Sequence, residues 1–211
     1  MIPVGGAASA PSPAPIHTVK PSARIVLGVT GSIAAHKAID ITSQLTRAGH
    51  MVNVVLTADA QRFVTPVPFK TLSRQPVVTD LYDEEGGWKP LHITLADEAD
   101  LFLVAPASAH TIARIALGMA DDALTCIALA LNPGVPMLLA PAMNGKMWLH
   151  PATQAHVATL TARGAEFLGP AEGMLSCGYE GIGRLLEPDR IARRVLEVLD
   201  AQPGSGSGTA V

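Results

Sequence analysis

One amide side chain stands in an otherwise apolar segment at residues 141–148, which read PAMNGKMW. Asn144 has methionines on both sides and an indole shortly after it, so burying its amide without a hydrogen-bond partner would cost free energy. A ligand carboxylate or carbonyl could supply that partner, because an amide both donates and accepts hydrogen bonds. A purely structural role in a turn is the alternative that this segment leaves open.

Two further segments carry groups that can move protons. His92 follows an acidic, glycine-rich stretch, and an imidazole can take up and return a proton near neutral pH. Cys177 lies in residues 173–184, where glycine is frequent enough to predict a loop or flap rather than a helix. A thiol that stays protonated at neutral pH could donate its proton to carbon. A surface histidine and a small apolar residue in a turn are the structural alternatives.

A glycine-containing turn early in the chain predicts a phosphate site. Residues 28–33 read GVTGSI, and Gly31 would let the backbone approach a ligand while Ser32 offers a hydroxyl at the start of a helix. The turn has neither the GxGxxG nor the P-loop pattern, so a mononucleotide phosphate fits it better than a dinucleotide. A tight turn without a ligand is the alternative.

Hydroxyl and ring groups follow two other predicted strands. Thr57 follows the second strand, and residues 106–111 (PASAHT) place Ser108, His110 and Thr111 at the start of a helix. These side chains could contact the same phosphate, or they could only cap helices. Neither the histidines nor the two cysteines have the spacing of a metal site, so we expect no metal.

Short apolar strands that alternate with alanine-rich helices should position these groups. The pattern predicts strands at residues 24–30, 51–56, 100–105, 135–139 and 165–168, and helices at residues 33–48, 108–118, 121–131, 151–163 and 188–199. We therefore expect an α/β, Rossmann-like (flavodoxin-like) fold with a doubly wound parallel sheet in a three-layer αβα arrangement. Ligands bind such sheets at the carboxyl ends of the strands, where the candidate residues lie.

Composition limits the other possibilities. Residues 1–23 predict a disordered arm, residues 24–200 one domain, and residues 201–211 a flexible tail. A net charge of -3 without a basic cluster argues against nucleic acid. The mean hydropathy is +0.31, but Asn132, Pro133 and Gly134 interrupt the uncharged stretch at residues 125–143, so we expect no membrane span. The sequence has only two cysteines, far apart, so we expect no disulfide framework and a location in the reducing cytoplasm.

Taken together, these segments resemble the homo-oligomeric flavin-containing cysteine decarboxylases over about residues 24–199. PAMNGKMW matches the PxMNxxMW pattern of that family, and LHITLADEADLFLVAPAS at residues 91–108 is similar to its segment from the catalytic histidine to the flavin strand. The resemblance implies FMN as the cofactor. The residues implied to contact it are Gly31, Ser32, Ile33, Thr57, Ser108, Ala109, His110 and Thr111.

The same resemblance implies the reaction and the roles of its residues. His92 would be the catalytic base, Asn144 would hold the substrate carboxylate, and Cys177 would be the proton donor. The residues implied to bind the substrate beside Asn144 are Ala142, Met143 and Met147. The expected reaction is FMN-dependent decarboxylation of 4'-phosphopantothenoylcysteine to 4'-phosphopantetheine in coenzyme A biosynthesis, through thioaldehyde and ene-thiol intermediates.

The resemblance also implies an assembly and leaves alternatives. FMN would lie between the subunits of a homotrimer or homododecamer, and a separate phosphopantothenate-cysteine ligase chain would supply the substrate. A peptidyl-cysteine decarboxylase of modified-peptide biosynthesis and a non-catalytic flavoprotein regulatory subunit are the alternatives. One residue departs from the family: His110 stands where the family's PASANT has asparagine, and an imidazole cannot offer the donor and acceptor of one amide together. We expect this change to alter flavin contacts, redox tuning or substrate placement.

Overall fold

A six-stranded parallel sheet forms the centre of the computed structural model, which describes residues 22–82, 89–174, 178 and 180–202. Its strands are β1 (Arg24–Val29), β2 (Met51–Leu56), β3 (Val77–Val78), β4 (Leu101–Ala107), β5 (Met137–Pro141) and β6 (Glu166–Phe167). They lie in the order β3-β2-β1-β4-β5-β6, the Rossmann order of doubly wound sheets, whose winding reverses between β1 and β4. The predicted doubly wound α/β fold is confirmed.

Helices cover both faces of this sheet. They are α1 (Lys37–Arg47), α2 (Pro66–Ser73), α3 (Leu91–Glu98), α4 (Ala109–Leu117), α5 (Ala123–Ala130), α6 (Gly145–Trp148), α7 (Pro151–Ala162) and α8 (Pro188–Ala201). The helices α1, α2 and α8 pack on one face, while α3, α4, α5 and α7 pack on the other. Alternate residues of β1 and β4 enter two separate apolar cores, which explains why these strands are apolar without alternation.

The structure differs from the sequence prediction mainly in its short elements. The predicted helix at residues 33–48 starts as a 3-10 turn, Ile33–His36, before α1 begins. Of residues 173–184, predicted as a loop or flap, those at 173–174 and 180–184 belong to an antiparallel pair of strands, β7 (Ala171–Met174) and β8 (Glu180–Arg184). The elements α2, α3, α6 and β3 were not predicted, because elements of two to eight residues depend more on tertiary packing than on their own periodicity.

The uncharged stretch at residues 125–143 is divided between α5, a turn and β5, as predicted. The turn is held to α3 by Asn132, whose side-chain amide donates to the carbonyl oxygen of Asp97 at 3.0 Å. In the described ranges no helix combines the length and the apolar character that crossing a bilayer requires. The predicted arm and tail lie almost entirely outside those ranges.

A capping box fixes the start of α5. The carboxylate of Asp122 accepts from the backbone amide of Thr125 at 2.8 Å and from the guanidinium of Arg114 at 2.7 Å. Burial by itself would raise the pKa of Asp122, but these hydrogen bonds outweigh burial and hold the pKa below its usual value. The anchored helix packs on β1 so closely that a Cβ atom added at Gly28 would lie 2.2 Å from Cδ1 of Leu124.

Candidate active site

One buried hydroxyl joins the carboxyl ends of β1 and β4. Thr30, which is 1% exposed, donates to the carbonyl oxygen of Pro106 at 2.7 Å and accepts from the backbone amide of Ser108 at 2.9 Å. Ligands bind doubly wound sheets at this edge, at the point where the winding reverses. The turns that follow β1 and β4 therefore open on the same crevice.

The turn after β1 has no room for a side chain at Gly31. A Cβ atom added at Gly31 would lie 2.5 Å from the Cβ atom of Asp59, so the backbone lies bare at the crevice. Ser32 caps the 3-10 turn that follows, because its hydroxyl accepts from the amide of Ala34 at 3.3 Å. Only glycine fits this position without displacing Asp59, and contact between the Gly31 backbone and a ligand stays a prediction.

The turn after β4 presents the start of α4. Ser108 caps this helix, accepting from the backbone amide of Thr111 at 3.2 Å, and the two hydroxyl oxygens lie 3.1 Å apart. Ala109 and His110 occupy the first turn, where backbone N–H groups have no partner within the helix and the helix dipole is positive. Capping and ligand contact are compatible here, because a hydroxyl oxygen can accept more than one hydrogen bond.

Asn144 follows β5 and caps the short helix α6. Its side-chain oxygen accepts from the backbone amide of Lys146 at 2.9 Å, and its own carbonyl accepts from the amide of Trp148 at 3.0 Å. The preceding residue is held by β8, because the amide of Met143 donates to the carbonyl oxygen of Gly183 at 3.0 Å. Backbone contacts on both sides therefore position Asn144.

A cavity of about 570 Å³ connects these three turns. Its volume lies within the range of small-molecule sites. Ile33 is 61% exposed and Met147 is 50% exposed, so large apolar side chains stand open at this cavity. The residues predicted from sequence that line it are Gly31, Ser32, Ile33, Ser108, Ala109, His110, Ala142, Met143, Asn144 and Met147.

Three of the predicted residues that the structure describes are not brought to this cavity. Thr57 and Thr111 are buried beneath the turns, and the hydroxyl of Thr57 accepts from the amide of Ala60 at 3.2 Å. His92 lies in α3, and its Nδ1 atom is buried without a hydrogen-bond partner among the described residues. Cys177 lies outside the described residues.

The cavity also has lining residues that the sequence did not reveal. Lys37 opens α1 and Arg184 ends β8, and each looks like an ordinary surface charge in the sequence. The available signal was the position of Lys37, which lies within the first two turns after the predicted phosphate turn at residues 28–33. Across the described ranges, no three His, Cys, Asp or Glu side chains are grouped so that they could hold a metal ion.

Two strand-to-helix turns and a fixed amide at the crevice of a doubly wound sheet are features typical of nucleotide-binding α/β proteins. The chain belongs to the Flavoprotein family, whose model matches residues 14–200.

Two curated relatives name an activity. A probable phosphopantothenoylcysteine decarboxylase of Streptococcus mutans serotype c is 44% identical over 83% of this chain and 98% of its own length. The coenzyme A biosynthesis bifunctional protein CoaBC of Bacillus subtilis is 46% identical over 80% of this chain. That match covers 41% of the bifunctional protein, so the present chain spans about two fifths of it.

Two solved structures share the fold. A cysteine-to-serine mutant of PPC decarboxylase complexed with pantothenoylaminoethenethiol is 31% identical, with a TM-score of 0.77 over 85% of this chain and 100% of that one. The FMN binding protein AtHal3 is 32% identical, with a TM-score of 0.76 over 86% of this chain and 99% of that one.

We expect Thr30→Val to weaken ligand binding, because valine cannot replace the two hydrogen bonds that join β1 to β4. The backbone groups left unpaired should cost about 1–3 kcal/mol each. The affinity for FMN, measured by fluorescence titration, and the unfolding midpoint check this. Thr42→Val is the matched control, since that equally buried hydroxyl bonds only to Ala38 within α1. Equal effects of both substitutions on FMN affinity would contradict the proposed role of Thr30.

We expect Gly183→Ala to separate β8 from the loop that carries Asn144. A Cβ atom there would lie 2.2 Å from the carbonyl oxygen of Met143, so backbone must shift, at a cost of about 1–3 kcal/mol. Unfolding by urea measures this loss. Gly49→Ala is the control, because Gly49 also has a positive φ but nothing lies within 4 Å of its added Cβ. If both variants lost a similar amount of stability, the positive φ alone would explain the loss, and the contact between Gly183 and Met143 would not.

Proposed function

We infer that this chain is an FMN-dependent decarboxylase that converts 4'-phosphopantothenoylcysteine to 4'-phosphopantetheine in coenzyme A biosynthesis. One observation carries the inference: a single cavity joins the two turns suited to a phosphate, after β1 and β4, to the fixed amide of Asn144 after β5. The reaction is proposed from the similar proteins, which are named as decarboxylases. The cavity brings together groups suited to a phosphate and to a carboxylate.

The cavity suits FMN in both its polar and its apolar parts. The hydroxyls of Ser32 and Ser108 and the first-turn amides of α4 can bind a phosphate, while Gly31 keeps the backbone accessible. Ile33 offers exposed apolar surface beside them for the flavin ring. Bound FMN supplies the electron sink that a cysteine amide lacks when its carboxylate departs as carbon dioxide.

Asn144 is the residue proposed to bind the substrate carboxylate. A carboxylate only accepts hydrogen bonds, so it would bind the side-chain N–H groups of Asn144, whose oxygen accepts from Lys146. Buried Ala142 and Trp148 flank it, and such apolar neighbours strengthen a charge-assisted hydrogen bond by excluding water. Cys177 is proposed to donate a proton to carbon after decarboxylation.

His92 would reach the cavity only from a second copy of the chain. It lies in α3, which packs against α5, and it is not among the residues that line the cavity of its own chain. Exposed Ile33 and Met147 would be covered in an assembly that closes over the cavity. We therefore propose a homotrimer or homododecamer with FMN between subunits, in which His92 of one copy removes the substrate thiol proton at the cavity of another.

The supply of substrate and the compartment complete the proposal. A phosphopantothenate-cysteine ligase is proposed as the source of the substrate, because the coenzyme A biosynthesis relatives are bifunctional. The two widely spaced cysteines of the sequence favour the cytoplasm. His110, in place of the family's asparagine, is proposed to adjust flavin contacts from the first turn of α4.

The purified chain should be yellow and should convert 4'-phosphopantothenoylcysteine to 4'-phosphopantetheine. Flavin absorbance and mass spectrometry of the product measure this directly. Cys177→Ser should still release carbon dioxide but should accumulate the unsaturated ene-thiol, because protonation of carbon is blocked. A cysteine-ending peptide tested in parallel distinguishes the peptidyl-cysteine alternative. A colourless protein that FMN does not reconstitute, or one that turns over neither substrate, would refute the assignment.

Co-expression of His92→Asn with Asn144→Asp should restore activity that neither variant has alone. Aspartate keeps the oxygen that caps α6 but removes the amide donor, so the fold at that position is preserved. If each site takes Asn144 from one copy and His92 from a neighbour, random assembly leaves about one quarter of the sites complete. Differently tagged chains, purified through both tags, give the mixed oligomer for the assay. No recovery of activity would show that both residues serve the same copy.

A further inference from the structure

Two cations stand on the wall of the active-site cavity and share one carboxylate. Lys37 is the first residue of α1, and Arg184 is the last residue of β8. Both line the cavity, and both pair with Glu187, Lys37 at 3.3 Å through one carboxylate oxygen and Arg184 through the other. Their side chains are 22% and 44% exposed, so both remain accessible to a ligand.

The cluster formed by Lys37, Arg184 and Glu187 carries one net positive charge. Its cations keep most of their N–H donors, since a guanidinium has five and an ammonium three. Asp59 is the other charged side chain that lines the cavity, and it lies beside Gly31 in the turn region after β1 and β2. Beyond Glu187, away from the cavity, a second depression contains Asp40, Arg47 and Asp189.

The same strand that carries Arg184 also contacts the loop of Asn144. Gly183 accepts from the amide of Met143 at 3.0 Å, and the guanidinium of Arg184 packs over Gly173 of the neighbouring strand. Arg184 is therefore held next to the group proposed to bind the substrate carboxylate. The proposed substrate has two anionic groups, a carboxylate and a phosphate, and Asn144 accounts for only the first.

We propose that Lys37 and Arg184 bind the terminal phosphate of the substrate, and so select a phosphorylated cysteine amide over its unphosphorylated form and over peptides. This rests on the function proposed above. Glu187 competes with the phosphate for both cations, and its charge offsets their mutual repulsion when no substrate is bound. A phosphate displaces the carboxylate because each cation can then donate to a group with three acceptor oxygens and more negative charge.

The test compares 4'-phosphopantothenoylcysteine with pantothenoylcysteine, which differs only by the phosphate. Lys37→Gln and Arg184→Gln should each lower kcat/KM for the phosphorylated substrate by about 10- to 100-fold, the effect of losing a hydrogen bond to a charged group. The value for the unphosphorylated substrate and the FMN content should stay within about twofold. Glu187→Gln should lower KM for the phosphorylated substrate alone, and it removes no helix cap, since the Glu187 side chain makes no capping hydrogen bond to α8.

Arg47→Gln is the matched control, because that cation lies near Glu187 but does not line the cavity. It should change neither substrate's kinetics. Equal losses with both substrates in the Lys37 and Arg184 variants would overturn the phosphate subsite. So would loss of FMN from these variants, since the cations would then serve the cofactor. A wild-type enzyme that turns over pantothenoylcysteine as well as the phosphorylated form would overturn the subsite but leave the decarboxylase function standing, whereas no turnover of either would refute both.

Discussion

The hydrogen bonds of Thr30 are the constraint on which the site depends. A side chain with 1% exposure both donates to the end of β4 and accepts from the residue after it, so the two central strands end at one fixed separation. The same separation fixes the distance between the turns that hold Gly31 and Ser108, because each turn begins within a residue or two of the Thr30 contacts. A phosphate group bound by both turns would find its hydrogen-bond donors already in position. Binding would then cost less conformational entropy.

The residues proposed to bind ligands at this cavity also cap helices. Ser32, Ser108 and Asn144 each accept a hydrogen bond from a backbone amide of the element they open. A cap of this kind restricts the rotamer of its side chain, so the remaining donor and acceptor positions point in fixed directions. The structural and functional interpretations that the sequence left open for these residues are therefore not exclusive. The same residues cap the elements that they open and line the cavity.

The site is built from distant parts of the chain. The short strand β8 contacts both the loop of Asn144 and Glu187. Gly183 meets the carbonyl of Met143, so the loop of Asn144 rests on a segment that comes 40 residues later in the chain. Arg184 and Lys37 are brought to opposite oxygens of Glu187 from a strand and from a helix. Such contacts have no local signature, because they depend on how the layers stack and not on the period of any one element.

The sequence by itself determined the doubly wound sheet and most residues of the cavity. Apolar runs bounded by glycine and proline define its strands, and the turns after these strands hold Gly31, Ser108 and Asn144, because parallel strands all end at one edge. Tertiary structure alone decided that Lys37 and Arg184 share the cavity and that His92 stands apart from it. The physical reason is that turns after parallel strands converge by topology, whereas the position of a charged or helical side chain depends on packing between elements far apart in sequence.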